Sequence, residues 1–189
     1  MTGDKQLPVL AVHRPGVTTP ELIPESGDII AFLEDATGPG NVLLPPLSGR
    51  RDLKAFFDSK GAFKEVQRRL TRPRILKMTH LADWAKEDDR AYAREKYESQ
   101  GFDYVAAEAA DAADTARMNE LLVELDTLVR GVRSLNDGRC GLTWDDLVYL
   151  PELRTLSCAK GVVWPAKLNA YVRTSFARAG VDTYFDNAI

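Results

Sequence analysis

The rhythm of apolar and polar positions changes twice along this chain. Near the start, "QLPVLAV" is a short apolar run of β-prone residues. "HRPGVTTP" follows with a glycine and two prolines, as a turn does, and "ELI" reads as a second short strand. In "PESGDIIAFLED" the spacing becomes helical. Ile29, Ile30 and Leu33 form an apolar stripe, Ser26 is placed to cap the helix, and Asp28 suits its first turn. Two antiparallel strands and one helix do not stand alone, because such a sheet needs more strands or a packed partner. "ATGPGNVLLPPLSG" then reads as an extended linker. This predicts a segment over residues 1–35, a linker over 36–48 and a second domain over 49–189.

Beyond the linker every pattern is helical. In "RDLKAFFDSKGAFKEVQRRL" the positions Leu53, Phe56, Phe57, Phe63, Val66 and Leu70 keep a helical apolar spacing across Gly61. "KEDDRAYAREKYESQG" predicts a helix with acid at its start, a polar face and Gly101 at its end. "FDYVAAEAADAADTARMNELLVELDTLVRGV" sets Leu121, Leu122, Leu125, Leu128, Val129 and Val132 on one side, and its Ala-rich half reads as a helix flank. The strongest local signal is "GLTWDDLVYLPELRTLSCAKG". Thr143 and Asp146 make a capping box, with Leu142 and Leu147 at the positions of a hydrophobic staple. Pro151 should kink that helix and Gly161 close it. "WPAKLNAYVRTSFARAG" predicts a last helix from Pro165 to Gly180.

Composition adds limits. At 189 residues the chain is long enough to bury a core, and its 44% hydrophobic and 28% charged residues are those of a globular protein. A net charge of −3 gives no overall attraction for nucleic acid or an anionic membrane. No apolar run approaches a membrane span, so neither nucleic acid nor membrane is an expected partner. Two cysteines do not make a disulfide framework, and a reducing cytoplasm is the expected location.

Two longer stretches resemble a known family. "KQLPVLAV" followed by "IPESGDIIAFLED" resembles the second half of the thioredoxin-like domain of glutathione transferases. "DLVYLPELRTLSCAKGVVWPAKLNAYV", with "TRPRILKM" and the final "NAI", resembles the helical domain of the glutaredoxin 2 family, the bacterial glutathione-transferase-like glutaredoxins. The resemblance implies a mainly α protein: a glutathione-transferase-like all-helical C-terminal domain preceded by a partial thioredoxin-like α/β half-domain. It implies glutathione-dependent thiol-disulfide exchange, with glutathione as cosubstrate and glutathionylated or disulfide-bearing proteins as partners. It also implies a cis Pro8, with the backbone of Leu7 pairing with the cysteinyl part of glutathione. Ser26, at the helix start, would take the γ-glutamyl carboxylate and Glu25 its amino group. Read from the residues alone, Pro8 is a trans proline at a strand edge, since cis X-Pro bonds are uncommon, and Glu25-Ser26 is equally an ordinary turn and cap.

The departure from the family is the Cys-Pro-Tyr-Cys motif on a strand-helix-strand unit. This sequence has no C-x-x-C, and only six residues precede Leu7, against about 30 for such a unit. No catalytic residue is therefore assigned. The expectation is a redox-inactive form, with two alternatives: a non-catalytic helical interaction module, or an N-terminally truncated reading frame of an active glutaredoxin. Cys140 and Cys158 read as inert structural cysteines, and His13 and His80 have neither triad nor metal spacing. "RRLTRPRILK" holds five Lys/Arg in ten residues. It reads as a solvated helix end suited to the C-terminal dipole, or as an anion-attracting wall.

Overall fold

In the first unit the predicted strands form a hairpin. β1 (Val9–Val12) pairs antiparallel with β2 (Glu21–Pro24), in the register Val9↔Pro24, Leu10↔Ile23, Ala11↔Leu22 and Val12↔Glu21. Its loop begins with a tight turn in which the Val17 N–H donates to the Arg14 carbonyl at 3.1 Å. Pro15 and Gly16 are its central residues, and Gly16 has φ +79°, the type II arrangement that glycine adopts without steric cost. α1 (Ser26–Thr37) follows and touches both strands. The computed structural model describes residues 8–37, 49–58, 61–136 and 142–189. The chain divides into two compact units, Met1–Pro45 and Pro46–Ile189.

The second unit is helical among its described residues: α2 (Arg51–Phe56), α3 (Ala62–Ile75), α4 (Glu87–Ser99), α5 (Tyr104–Ala109), α6 (Asp111–Leu128), α7 (Trp144–Leu156) and α8 (Ala166–Ala179). Short 3₁₀ turns lie at Ala82–Trp84 and Phe185–Asn187. Its core centres on α3, which packs against α5, α6 and α7, while α8 covers α6 and α7. All six apolar positions read across Gly61 are buried. They belong to two helices rather than one, because the chain leaves helical geometry after Phe56 and Gly61 caps α3 in an extended conformation. The Ala-rich run is likewise interrupted at Ala110. Of the stripe read on α6, Val132 falls outside: the helix ends at Leu128, Val129 turns extended, and Val132 is 46% exposed.

Helix ends follow the local signals closely. α4 closes with the Gly101 N–H donating to the Glu98 carbonyl and the Phe102 N–H to the Tyr97 carbonyl, a Schellman arrangement with Gly101 left-handed at φ +85°. The Thr143–Asp146 capping box is present. Asp146 is fully buried and does more than cap. Its carboxylate accepts from the Thr143 N–H (2.6 Å) and Oγ1 (2.9 Å), Ser134 Oγ (2.6 Å), the Leu135 N–H (2.7 Å) and the Tyr171 hydroxyl (2.6 Å). α7 continues through Pro151 to Leu156. Gly161 does not close it; the cap is Ser157, and Gly161 (φ +94°) sits in the turn that follows.

Candidate functional site

The hairpin register sets the geometry of the first candidate site. With Val9 opposite Pro24, Pro8 comes beside Glu25, and the Glu25 N–H donates to the Pro8 carbonyl at 3.1 Å. Residues 17 positions apart are thereby tied at one end of the hairpin, where α1 begins. Pro8, Glu25 and Ser26 are all exposed. Leu7, and with it the Leu7–Pro8 peptide bond, lies outside the described residues.

One expectation needs correcting. Ser26 is the first residue of α1, and the Ile29 N–H donates to the Glu25 carbonyl at 3.0 Å. Glu25 therefore holds the cap position, displacing Ser26 by one. Glu25 adopts φ +69°, and among the described residues it is the one non-glycine with positive φ. For a residue with a Cβ this conformation costs about 1–2 kcal/mol. The strain turns the chain from β2 straight into α1. The amides of Ser26, Gly27 and Asp28 have no partner within the helix, because each would need a carbonyl before the helix start. Together with the Ser26 hydroxyl and the helix dipole they suit a carboxylate, while the Glu25 carboxylate suits an ammonium. An amino-acid head group carries both.

The thiols offer no comparable chemistry. Cys158 is fully buried with Met78 and Tyr184, and Ile75 and Leu81 pack against that group. Burial pushes its thiol up to about 12, the nearby Arg74 opposing this only in part. The final residues cover the same turn: the Ile189 N–H donates to the Cys158 carbonyl at 3.0 Å, and the Lys160 N–H to the Ile189 oxygen at 3.1 Å. Cys140 lies outside the described residues. His13 and His80 are exposed, and no metal-binding group of His, Cys, Asp and Glu occurs among the described residues.

The cationic run divides into two sets. Arg69 is held by Asp114 (2.6 and 2.7 Å) and by Glu65 (2.5 Å), Arg74 by Asp111 (2.6 Å), and Lys77 by Glu108 (2.8 Å). These three are structural, tying α3 and the turn that follows it to α5 and α6. Arg68 and Arg72 line an open cleft of about 430 Å³. The Arg72 guanidinium lies 4.1 Å from the Tyr97 ring centroid and 4.8 Å from that of Phe102. Neither arginine has a carboxylate partner among the described residues. The sequence signalled the pairing of Arg69 with Glu65 at i−4, but nothing in it joined Tyr97 and Phe102 to Arg72.

A strained turn at the end of a hairpin, followed by an all-helical unit, defines a class of protein: a partial thioredoxin-like half-domain preceding a glutathione-transferase-like helical domain. Residues 58–188 match the family model for the glutaredoxin 2 C-terminal domain, and the chain belongs to the glutaredoxin 2 family. The same fold is seen in the crystal structure of glutaredoxin 2 from Salmonella typhimurium in complex with glutathione. That structure matches with a TM-score of 0.78 at 22% identity, over 100% of this chain and 80% of that one. No curated protein matches the sequence. No helix among the described residues is long and apolar enough to cross a membrane.

Proposed function

We propose that this chain binds glutathione at the turn joining β2 to α1, and that the 189-residue form does not itself perform thiol-disulfide exchange. The observation that carries the reading is the Pro8–Glu25 hydrogen bond, which puts a carboxylate side chain, a hydroxyl and open helix amides at one point. In this reading the γ-glutamyl carboxylate of glutathione meets the Ser26 hydroxyl and the first amides of α1. Its ammonium meets Glu25, and the backbone of Leu7 beside Pro8 pairs with the cysteinyl part. The glutathione complex of the Salmonella protein supports the choice of ligand. A reducing, glutathione-containing cytoplasm is the matching location, and glutathionylated or disulfide-bearing proteins are the matching partners.

Exchange needs a thiolate to attack a mixed disulfide, after which a second thiol resolves the new one. The sequence has no C-x-x-C, and the Cys158 sulfur is closed in and held as a thiol. Calorimetric titration with glutathione should show saturable binding that Glu25→Ala and Ser26→Ala each weaken about tenfold, the scale of one lost charge-assisted hydrogen bond. A disulfide-exchange assay with glutathione as reductant should stay at background. Unchanged affinity in both variants would remove the turn as the site. Turnover abolished by Cys140→Ser or Cys158→Ser would show that this form is active.

A further inference from the structure

The second unit carries two arginines, Arg68 and Arg72, that have no ion-pair partner among the described residues. On α3 the spacing of Arg68 and Arg72, one helical turn apart, puts both on the wall of one cleft, with Gln100, Gly101, Phe102, Asp103 and Ala106 opposite. At about 430 Å³ the cleft is within the size range of small-ligand sites.

The charges around it are unevenly committed. Arg69 also lines the cleft, but Asp114 and Glu65 saturate it. Glu65 is spent on Arg69, and the Asp103 carboxylate accepts the Ala106 N–H at 3.0 Å as the cap of α5. The Arg72 guanidinium carbon lies over the Tyr97 and Phe102 rings, at 4.1 and 4.8 Å from their centroids. A cation–π contact of this kind gives no hydrogen-bond acceptor to the guanidinium N–H donors. No hydrogen bond or ion pair takes those donors up among the described residues, and the same holds for Arg68. Half-burial and the neighbouring Arg68 disfavour the charge on Arg72, yet a guanidinium stays protonated at neutral pH. Arg72 is thus held on two rings beside a second cation, and among the described residues neither arginine is ion-paired, although the Glu65 and Asp103 carboxylates also line the cleft.

We propose that the cleft between α3 and the segment 100–106 binds a small oxyanion, its carboxylate or phosphoryl oxygens held by the N–H groups of Arg68 and Arg72. Phe102 forms an apolar wall for the body of the ligand. The site is built wholly from residues of the second unit.

The test is titration of the full chain at low ionic strength with inorganic phosphate and, separately, with succinate, with chloride at matched ionic strength as control. Arginine side-chain and Gly101–Phe102 amide NMR shifts report the site. At least one oxyanion should bind saturably, and the one that binds tighter tells phosphoryl from carboxylate ligands. Arg72→Met, which keeps an apolar side chain on the rings, and Arg68→Met should each weaken binding about tenfold or more. Arg117→Met removes an exposed arginine of α6 paired with Glu120 and should change nothing. If Arg72→Met fails to fold, Arg68→Met at an exposed position carries the test alone. Shifts reproduced by chloride, no saturation by either oxyanion, or binding unchanged in Arg68→Met would overturn the proposal.

Discussion

The two units both form hydrogen-bonded elements but bury their side chains very differently. In the first, four residue pairs register the hairpin and α1 packs on it, yet no described side chain falls in the buried class; Leu22 and Leu33 remain 38% and 39% exposed. In the second, one continuous core runs through α2, α3, α6, α7 and α8, with Leu53, Leu70, Leu122, Leu125, Leu153 and Leu168 at 0%. Hydrogen-bonded elements therefore form without a core, but a core is what resists opening, because buried apolar area is the main favourable term in folding. The candidate glutathione turn sits in the weakly buried unit, where local opening costs least.

Removing the buried hub of the helical unit should produce the widest separation between the two. Asp146→Ala leaves the Ser134 hydroxyl, the Leu135 amide and the Tyr171 hydroxyl without their acceptor. Each stranded buried donor costs roughly 1–3 kcal/mol, so the loss should exceed about 3 kcal/mol. Leu10→Ala in the half-buried hairpin should cost less than about 1 kcal/mol. Urea unfolding followed by tryptophan fluorescence measures the Asp146→Ala loss, because all three tryptophans lie in the second unit. Amide exchange across the hairpin measures the Leu10→Ala loss, and similar losses would show that the first unit is as firmly packed as the second.

A smaller effect should appear at alkaline pH, in the helical unit. The Cys158 thiol is raised in the folded state from 9.0 to about 12. Its contribution to stability is complete below pH 9. Above that the unfolded chain releases the proton while the folded one keeps it, so stability falls until the folded value near 12 is passed. The slope should approach about 1.4 kcal/mol per pH unit. Burial raises the Tyr171 hydroxyl too, adding loss of the same sign above pH 10. Comparing wild type with Cys158→Ala between pH 8 and 10 isolates the thiol; parallel stability curves would mean that Cys158 is accessible.

The smallest expected change is a gain, in the first unit. Glu25→Gly relieves the left-handed backbone. Glycine also enlarges the unfolded ensemble, so the net gain should be at most about 1 kcal/mol. Amide exchange across Leu10 and Ile23 should slow slightly while glutathione binding falls, since the side chain proposed to hold the ammonium is gone. Faster exchange there would show that the Glu25 side chain supports the hairpin itself.

What the sequence made legible was local. The turn in residues 13–20, the helix ends at Gly101 and Gly180 and the capping box at Thr143 all involve residues within a few positions of one another. Ser26 was misplaced by one residue because Glu25 is not a residue that local preference puts in the left-handed region. Gly161 was misassigned for the opposite reason: its positive φ is real, but it serves a turn beyond the helix cap. The cationic run showed its charge but not its division, since the acids that hold Arg69 and Arg74 lie on α6, about 40 residues away.

By itself, then, the sequence determined the change from strand to helix, the faces that would be apolar, and the helix ends, because periodicity and capping act between neighbours. Tertiary structure alone decided the rest. Asp146 gathers donors from residues 134 to 171, and the hairpin register brings Pro8 to Glu25. Cys158 is sealed beneath Met78 and Tyr184, and Arg72 rests on two rings from the end of α4 and the turn after it. These contacts depend on how helices and strands close on one another, and a chain's local pattern specifies which faces are sticky without specifying which faces meet.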